Sequence, residues 1–248
     1  EKSPPAADQP EGEYPWQVSS SINYTTGDFG TDTTTNTVYI PVTLQKNYDW
    51  GYLSGTLPYI YQVSGPQVSA FGGLPRRIDG GPGEKRRTGG LGDILFEGSY
   101  DVWYEDIDPW TMSPMARVKF PTADDDEGLG TGEFDETVGV RNSKFVDPDW
   151  EIFGDAFYTF IGEPASIDLH NEFAYVLGLA YHALEPTVLS AAYSQRTALV
   201  DDEPDPKDIS LGVNHTVNAR LDLLGAVSIG LSQGSPDFGI SAGVATHF

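Results

Sequence analysis

Histidine is the residue type in this sequence that most directly suggests catalysis, because a hydrolase needs a His base beside a nucleophilic Ser and an orienting polar group. The four histidines are His170, His182, His215 and His247. None accompanies a Gly-x-Ser-x-Gly elbow or a His-Glu-x-x-His motif, and no glycine-rich phosphate loop follows a βα unit. The sequence therefore predicts no catalytic residue and no enzyme, and an outer-membrane lipid hydrolase is the less favoured alternative.

Metal and thiol chemistry have little support in the sequence. The chain contains no cysteine, which removes disulfides, thiolate nucleophiles and zinc–thiolate sites. Two acidic runs, 124–127 and 201–205, could collect divalent cations, but neither has the ligand spacing of an EF-hand. We interpret both runs as solvated charge and expect neither a metal nor a cofactor.

The charge balance excludes one class of partner. The chain carries 14 basic and 37 acidic residues, a formal net charge of -23. A polyanion of this kind repels a phosphate backbone, so nucleic acid is not an expected partner. The longest apolar run, 223–231, is far too short for a spanning helix.

The elements that must position any lumen or surface chemistry are strands. Residues 1–15 are rich in Pro and acids and predict a flexible arm, and 16–248 predict one domain of period-two segments separated by Gly, Pro, Asn and Asp. The twelve predicted strands are 16–26, 36–46, 50–63, 91–104, 109–121, 133–146, 150–161, 170–183, 187–199, 207–219, 221–232 and 237–248.

The connections between these segments alternate between tight turns and longer polar loops, of which 64–90 is the longest. Bacterial outer-membrane barrels have short periplasmic turns and long extracellular loops. The pattern predicts an all-β fold, a transmembrane antiparallel up-and-down β-barrel of about 12 strands. Both termini would lie in the periplasm, and the protein in the outer membrane of a Gram-negative bacterium.

The two faces of the last segment show which side would be apolar. Phe238, Ile240 and Val244 share one face, whereas Gly239 and Ser241 share the other. A membrane barrel is apolar outside and polar inside. A soluble sandwich would also alternate, but an amphipathic strand that carries the terminal Phe favours the membrane barrel.

Aromatic residues near the predicted strand ends suggest interfacial girdles. They are Trp16, Trp50, Trp103, Tyr104, Trp110, Trp150, Phe160 and Tyr181. His215 conflicts with this layout, because its parity places a polar ring on the lipid face. The position predicts a contact with another protomer, a bulge or an error of register.

Three short motifs carry a family resemblance. They are Gly90-Leu91-Gly92-Asp93, Lys119-Phe120-Pro121-Thr122 and Gly128-Leu129-Gly130-Thr131-Gly132. In order and spacing they resemble the transporter-like outer-membrane channels named for the MetA pathway of phenol degradation. The resemblance implies a twelve-stranded channel for small, often apolar or aromatic compounds, but it does not identify the solute.

Strand parity gives a candidate lumen of both charge signs. The selectivity residues are predicted to be Asp93, Glu97, Asp101, Arg117, Lys119, Arg141, Asp155 and Arg196, and further inward positions are Asp135, Glu151, Glu172, His182 and Asp222. Opposite charges on neighbouring strands would either form cross-strand pairs in a filled barrel or set a field across a pore. Twelve strands predict a narrow lumen.

Loop 64–90 is the candidate gate, because it is long enough to fold inward and holds five of the basic residues. These are Arg76, Arg77, Lys85, Arg86 and Arg87. The loop could dock on the acidic wall, attract anionic solutes or contact lipopolysaccharide.

The predicted function is passive uptake of small solutes, apolar or aromatic ones included, through a narrow, charge-lined, loop-gated lumen. Outer-membrane lipid and lipopolysaccharide are the expected surroundings. The alternative is a scaffold barrel that anchors a periplasmic partner.

Overall fold

The computed structural model describes residues 14–71, 74–78, 84–104, 110–164 and 167–248, so most of the predicted arm lies outside the described residues. The described chain is all-β. Its strands are β1 (Trp16–Gly27), β2 (Thr35–Tyr48), β3 (Gly51–Ser64), β4 (Val68–Phe71), β5 (Leu74–Arg77), β6 (Arg86–Leu91), β7 (Ile94–Tyr100), β8 (Val102–Tyr104), β9 (Trp110–Phe120), β10 (Asp135–Phe145), β11 (Trp150–Phe160), β12 (Glu172–Leu184), β13 (Thr187–Arg196), β14 (Lys207–Asn218), β15 (Leu221–Gly230) and β16 (Phe238–His247). The described residues include no helical segment that could span a membrane.

The predicted twelve-stranded antiparallel barrel is confirmed. Strands β6, β7 and β8 follow one another along one position of the barrel wall, between β3 and β9. We call each such position a stave, so that these three strands make up the fourth of twelve staves. Strands β4 and β5 form a separate hairpin. The first and last strands pair, and Trp16 and Phe248 exchange backbone hydrogen bonds of 3.0 and 2.9 Å. Because the ladder also continues from β9 to β10, the described sheet closes on itself.

Short and long connections segregate to opposite ends of the barrel, as predicted. Residues 49–50, 185–186 and 219–220 form tight turns at the end that holds both chain termini, which we call the turn end. The β4–β5 hairpin and the connection 121–134 lie at the other end, which we call the loop end. That the turn end faces the periplasm stays a prediction.

The outer face carries the apolar side chains. On β16, Ile240 is 48% exposed, whereas the inward-facing Ala245 is 1% exposed. At the turn end Trp50 stacks between Tyr48 and Tyr100, with ring centroids 4.8 and 6.1 Å away. This band and its aromatic border match the outward surface expected of a membrane barrel. The side chains of Trp103 and Tyr104, also assigned to the girdle, lie outside the described residues.

The fourth stave differs from the prediction. It begins at Arg86 rather than at 91, and it contains a bulge, since Thr56 pairs with Leu95 while Tyr59 pairs with Leu91. The extra residue lies at Gly92-Asp93, opposite Pro58. Proline has no N–H to give to a ladder, which makes its neighbour a suitable place for a bulge. The other strand ends lie within three residues of the predicted ones.

The structure explains how the polar ring of His215 is accommodated on the outward face of β14. The register of β14 shifts between Thr216 and Asn218, so a bulge follows the histidine directly. The ring lies near the turn end, where His215 pairs with Thr187 and its Nδ1 is 2.8 Å from the threonine hydroxyl. The bulge was one of the expected explanations, and this hydrogen bond gives the ring a polar partner.

Candidate channel lumen and mouth

A buried ion cluster lies on the inward face towards the loop end. Lys119 on β9 is 4% exposed, and its Nζ lies 2.7 Å from Asp135 Oδ2 on β10 and 3.5 Å from Asp93 Oδ2. The same ammonium donates to the Thr131 hydroxyl at 2.9 Å. A buried charge needs such partners, because burial without them costs several kcal/mol.

This cluster shows what the three sequence motifs have in common. Asp93, from the first motif, accepts the backbone N–H groups of Thr122 and Ala123 at 3.0 Å. Lys119 belongs to the second motif and Thr131 to the third. Gly130 also belongs to the third, and a Cβ there would lie 2.9 Å from Asp93 Oδ2. The motifs therefore join one bulged stave, one strand end and one loop into a single buried unit.

A second charged cluster lies further along the lumen and centres on Glu97 of β7. Arg117 Nε donates to Glu97 Oε2 at 2.7 Å, and Arg141 Nη2 donates to Glu97 Oε1 at 2.9 Å. Tyr52 of β3 also donates to Glu97 and accepts from Arg141. The four side chains line a cavity of about 280 Å³. They bind together four neighbouring staves on one side of the lumen, from β3 to β10.

The remaining predicted lumen residues also point inward. Asp101 accepts from the Ser113 hydroxyl at 2.7 Å, and Asp155 is directly opposite Arg141 in the β10–β11 ladder. Two further pairs lie near the turn end: Glu151 with His182 at 3.0 Å, and Asp222 with His247 at 2.8 Å. Arg196 ends β13 near the loop end. Pairing across neighbouring strands, one of the two arrangements expected, therefore accounts for most of these charges.

Sequence reasoning missed several aromatic lumen residues, including Tyr52, Phe153 and Phe157. The prediction placed aromatics in the outer girdles and did not follow the parity of these three positions. Phe153 lies against Gly178 on β12, and a Cβ at Gly178 would lie 2.2 Å from the ring. Phe157 lies in the same way against Gly139 on β10, 2.4 Å from the corresponding Cβ position. A bulky inward residue opposite a glycine was the signal that could have found both phenylalanines.

The wall from β13 to β1 differs from the charged side. Its inward positions carry mainly small side chains: Ser190, Ala192, Ser210, Gly212, Ala226, Ser228, Gly239, Ser241, Gly243, Ala245, Ser19 and Ser21. Small side chains fill less of the interior than arginine or tyrosine. The lumen is therefore occupied unevenly, with bulk and charge between β3 and β11.

The β4–β5 hairpin crosses the mouth at the loop end. Arg76 is 5% exposed, forms an ion pair with Glu172 at the start of β12, and donates to the Thr197 carbonyl at 3.1 Å. Arg77 pairs with Glu203 at 2.9 Å and donates to the Phe29 carbonyl at 3.1 Å. Burial lowers the pKa of the Arg76 guanidinium, and the Glu172 carboxylate opposes this shift. Two adjacent arginines thus tie the hairpin to three other loop-end segments.

Apolar contacts hold the near side of the hairpin. Ala70 packs with Ile60 on the inner face of β3 and with Ala123 and Leu129 from the 121–134 loop. The Ser69 hydroxyl also donates to the Gly128 carbonyl at 3.0 Å. The glycine-rich third motif therefore supports the underside of the hairpin.

The other basic residues of the predicted gate are placed differently. Arg86 and Arg87 belong to β6, and Lys85 immediately precedes that strand. All three are exposed, and Arg86 donates to the Asp126 carbonyl at 3.2 Å. Only Arg76 and Arg77 are in the hairpin, because the fourth stave begins earlier than the sequence indicated.

The histidines do not form a catalytic arrangement. Glu151 and Asp222 are the partners of His182 and His247, Thr187 is the partner of His215, and His170 lies 3.7 Å from Asp201. In the part of the chain that the structure describes, no histidine bridges a serine hydroxyl and a carboxylate. The described residues also contain no group of three or more potential ligands that could hold a metal ion.

A closed antiparallel barrel with an apolar outer band and a polar interior defines an outer-membrane β-barrel of the type shared by channels and porins. The model of the family described as "Putative MetA-pathway of phenol degradation" matches residues 16–248, and the chain belongs to that family.

Solved structures share the fold at low sequence identity. The COG4313 outer membrane channel from Pseudomonas putida F1 has a TM-score of 0.68 at 13% identity, with all of both chains covered. The NanC porin has a TM-score of 0.61 at 10% identity, covering 93% of this chain and 100% of its own. The CymD monoaromatic hydrocarbon channel has a TM-score of 0.52 at 8% identity, covering 95% of this chain and 89% of its own.

Proposed function

We propose that this protein is a passive channel of the Gram-negative outer membrane, with both termini in the periplasm, and that small solutes cross it along the β13–β1 side. The observation that carries the proposal is the uneven lumen. The Glu97–Arg141 cluster occupies the β3–β10 side, whereas the opposite wall carries mainly small side chains. The narrow interior of a twelve-stranded barrel then leaves its free space beside that wall.

Small uncharged solutes, aromatic ones among them, fit this route. Phe153 and Phe157 border it on β11, and Leu224 and Val188 face inward on the small-residue side. These side chains offer apolar contact beside serine hydroxyls. An aromatic compound that carries a polar substituent can use both kinds of contact, because its ring is apolar and its substituent is polar.

Charge favours cations over anions as conducting ions. The acids that line the lumen are Asp93 and Asp101, which lie between strands, and Glu97, Asp135, Glu151, Asp155, Glu172, Asp208 and Asp222 on strands; the inward bases are Arg86, Arg117, Lys119, Arg141 and Arg196. A lumen with excess negative charge concentrates cations.

We further propose that the β4–β5 hairpin gates the mouth. Its far side is held by the Arg76–Glu172 pair and by the bonds of Arg77, so release of these contacts would free the hairpin to move away. Lids and loops of this kind open on the order of microseconds to milliseconds. Lys85, Arg86 and Arg87 are not assigned to the gate.

The test is single-channel conductance in planar bilayers. Wild type, Arg76→Glu and the charge-reversed double variant Arg76→Glu/Glu172→Arg are compared. Arg76→Glu should increase the open fraction, because it places two carboxylates together at a buried site, and the double variant should restore wild-type behaviour. If wild type and both variants carry no current, the channel proposal is refuted. Equal open fractions in all three would refute the gate but not the channel.

No enzymatic activity is proposed. The rings of His182, His215 and His247 each have a hydrogen-bond partner, and His170 lies 3.7 Å from Asp201. None of these arrangements resembles a nucleophile–base pair with an orienting acid. A hydrolysis assay with phospholipid substrate and purified folded protein tests this directly, and turnover that disappears in His182→Gln or His247→Gln would overturn it.

A further inference from the structure

A basic patch lies on the outer rim at the loop end. Arg87 pairs with Val63 in the β3–β6 ladder, and Val63, Tyr61 and Tyr59 lie on the outward face of β3. Arg87 therefore points out of the barrel, above this row. Lys85 precedes it and is also exposed. Both cations lie where the strand leaves the apolar band.

The outer wall beneath these cations is apolar and has a shallow depression at Gly89. Tyr59, Tyr61 and Leu91 are exposed on the outer face. Gly89 lies between Arg87 and Leu91 in the same outward row, and a Cβ there would lie 3.1 Å from the Tyr61 ring and 3.2 Å from the Tyr59 hydroxyl. The rings of both tyrosines therefore lie against Gly89, where the absence of a side chain leaves a shallow depression. Amphipathic rings at this level are typical of a membrane interface.

The two cations of the patch differ in their pairing from the arginines of the hairpin. In the described part of the chain, neither Lys85 nor Arg87 forms an ion pair, whereas Arg76 and Arg77 are both paired with carboxylates. The net charge of -23 supplies many acids that could have paired with these cations. Exposed, unpaired cations directly above an apolar aromatic surface complement a lipid whose headgroup is anionic.

We propose that Lys85 and Arg87, with the Tyr59–Tyr61–Gly89 surface, form a binding site for a phosphorylated lipid of the outer leaflet, namely the lipid A portion of lipopolysaccharide. Its phosphates contact the two cations and its acyl chains lie along Tyr59 and Leu91. The site is independent of the channel. Its use in the cell rests on the proposed orientation, in which the loop end is extracellular.

Two double variants test the site at matched net charge. Lys85→Gln/Arg87→Gln removes both cations of the patch. Lys46→Gln/Arg220→Gln removes two cations at the turn end, where Lys46 lies over the Trp16 ring at 5.1 Å and Arg220 over the Tyr14 ring at 4.6 Å. Arg86 is left unchanged, because its bond to the Asp126 carbonyl supports a neighbouring loop.

The readout is native mass spectrometry of the folded barrel in detergent, titrated with bisphosphorylated lipid A, with its dephosphorylated form and with phosphatidylglycerol. The patch variant should bind bisphosphorylated lipid A roughly tenfold more weakly than wild type, and the turn-end variant should bind it like wild type. Dephosphorylated lipid A should bind all three proteins equally.

Equal losses in both double variants would overturn the site, because net charge alone would then explain binding. Unchanged binding in the patch variant would overturn it as well. Phosphatidylglycerol bound as tightly as lipid A, with the same dependence on the patch, would overturn the assignment to lipid A. None of these results alters the conductance test.

Discussion

Glu97 and Arg117 are direct partners across the β7–β9 ladder, and the Arg117 Nε donates to Glu97 Oε2 at 2.7 Å. The same carboxylate also accepts from Arg141. One acid therefore holds two guanidinium groups against the wall on the crowded side of the lumen. Removal of its charge should affect ion selectivity more than removal of any single outward acid.

The first prediction concerns Glu97→Gln. The amide keeps the shape of the side chain but leaves Arg117 and Arg141 with less negative charge beside them, so the cation preference of the pore should fall. The reversal potential in a potassium chloride gradient measures this preference. Glu136→Gln, which removes an exposed, outward-facing carboxylate on β10, is the control. A shift of equal size in both variants would mean that total charge, not the cluster, sets selectivity.

The second prediction places the solute path. Ser241 and Ile240 are adjacent on β16 but face opposite sides, Ser241 into the lumen and Ile240 outward. A phenylalanine at 241 would enter the proposed path, so Ser241→Phe should reduce single-channel conductance to roughly half or less. Ile240→Phe adds the same ring to the lipid face and should conduct like wild type. Unaltered conductance in Ser241→Phe would place the path elsewhere.

Strand number, strand order and the direction of side chains could be predicted from the sequence because they depend on local alternation. Ile240 and Ser241, for example, follow the period-two pattern and are placed correctly. The bulge at Gly92-Asp93 could not be predicted in this way. It depends on Pro58, more than 30 residues earlier in the sequence, which becomes its neighbour only when the ladder forms.

The division of the basic loop between the β4–β5 hairpin and strand β6 could not be predicted from the sequence either. Arg76 and Arg87 lie in one continuous run of polar and glycine residues, and nothing local distinguishes a hairpin from the start of a stave. The division follows from long-range contacts, namely the pair of Arg76 with Glu172 and the pairing of Arg87 with Val63. Of the five basic residues, Arg76 pairs with Glu172 at the start of β12, and Arg77 pairs with Glu203 in the connection between β13 and β14.

The third prediction concerns the buried cluster formed by the family motifs. Lys119→Met would leave Asp93 and Asp135 close together without their cation, and breaking a buried pair costs about 3–5 kcal/mol. The urea midpoint of unfolding, followed by tryptophan fluorescence in detergent, should therefore fall. Lys119→Met/Asp135→Asn should recover part of the loss, because it removes one uncompensated charge. A midpoint equal to that of wild type in the single variant would show that the ion cluster contributes little to stability.

The fourth prediction concerns the lumen aromatics. The Phe153 ring covers Gly178 so closely that a Cβ there would lie 2.2 Å from the ring. Gly178→Ala should displace the ring into the lumen, which would cost about 1–3 kcal/mol of stability and lower the conductance. Gly154→Ala is the matched control, because Gly154 faces outward beside Leu177, 3.3 Å from the added methyl.

Phe153→Leu should partly restore stability to Gly178→Ala, since a smaller side chain can yield to the methyl group. If both alanine variants unfold at the same urea concentration as wild type, the ring is free to move, and the aromatic border of the proposed path is not fixed by Gly178.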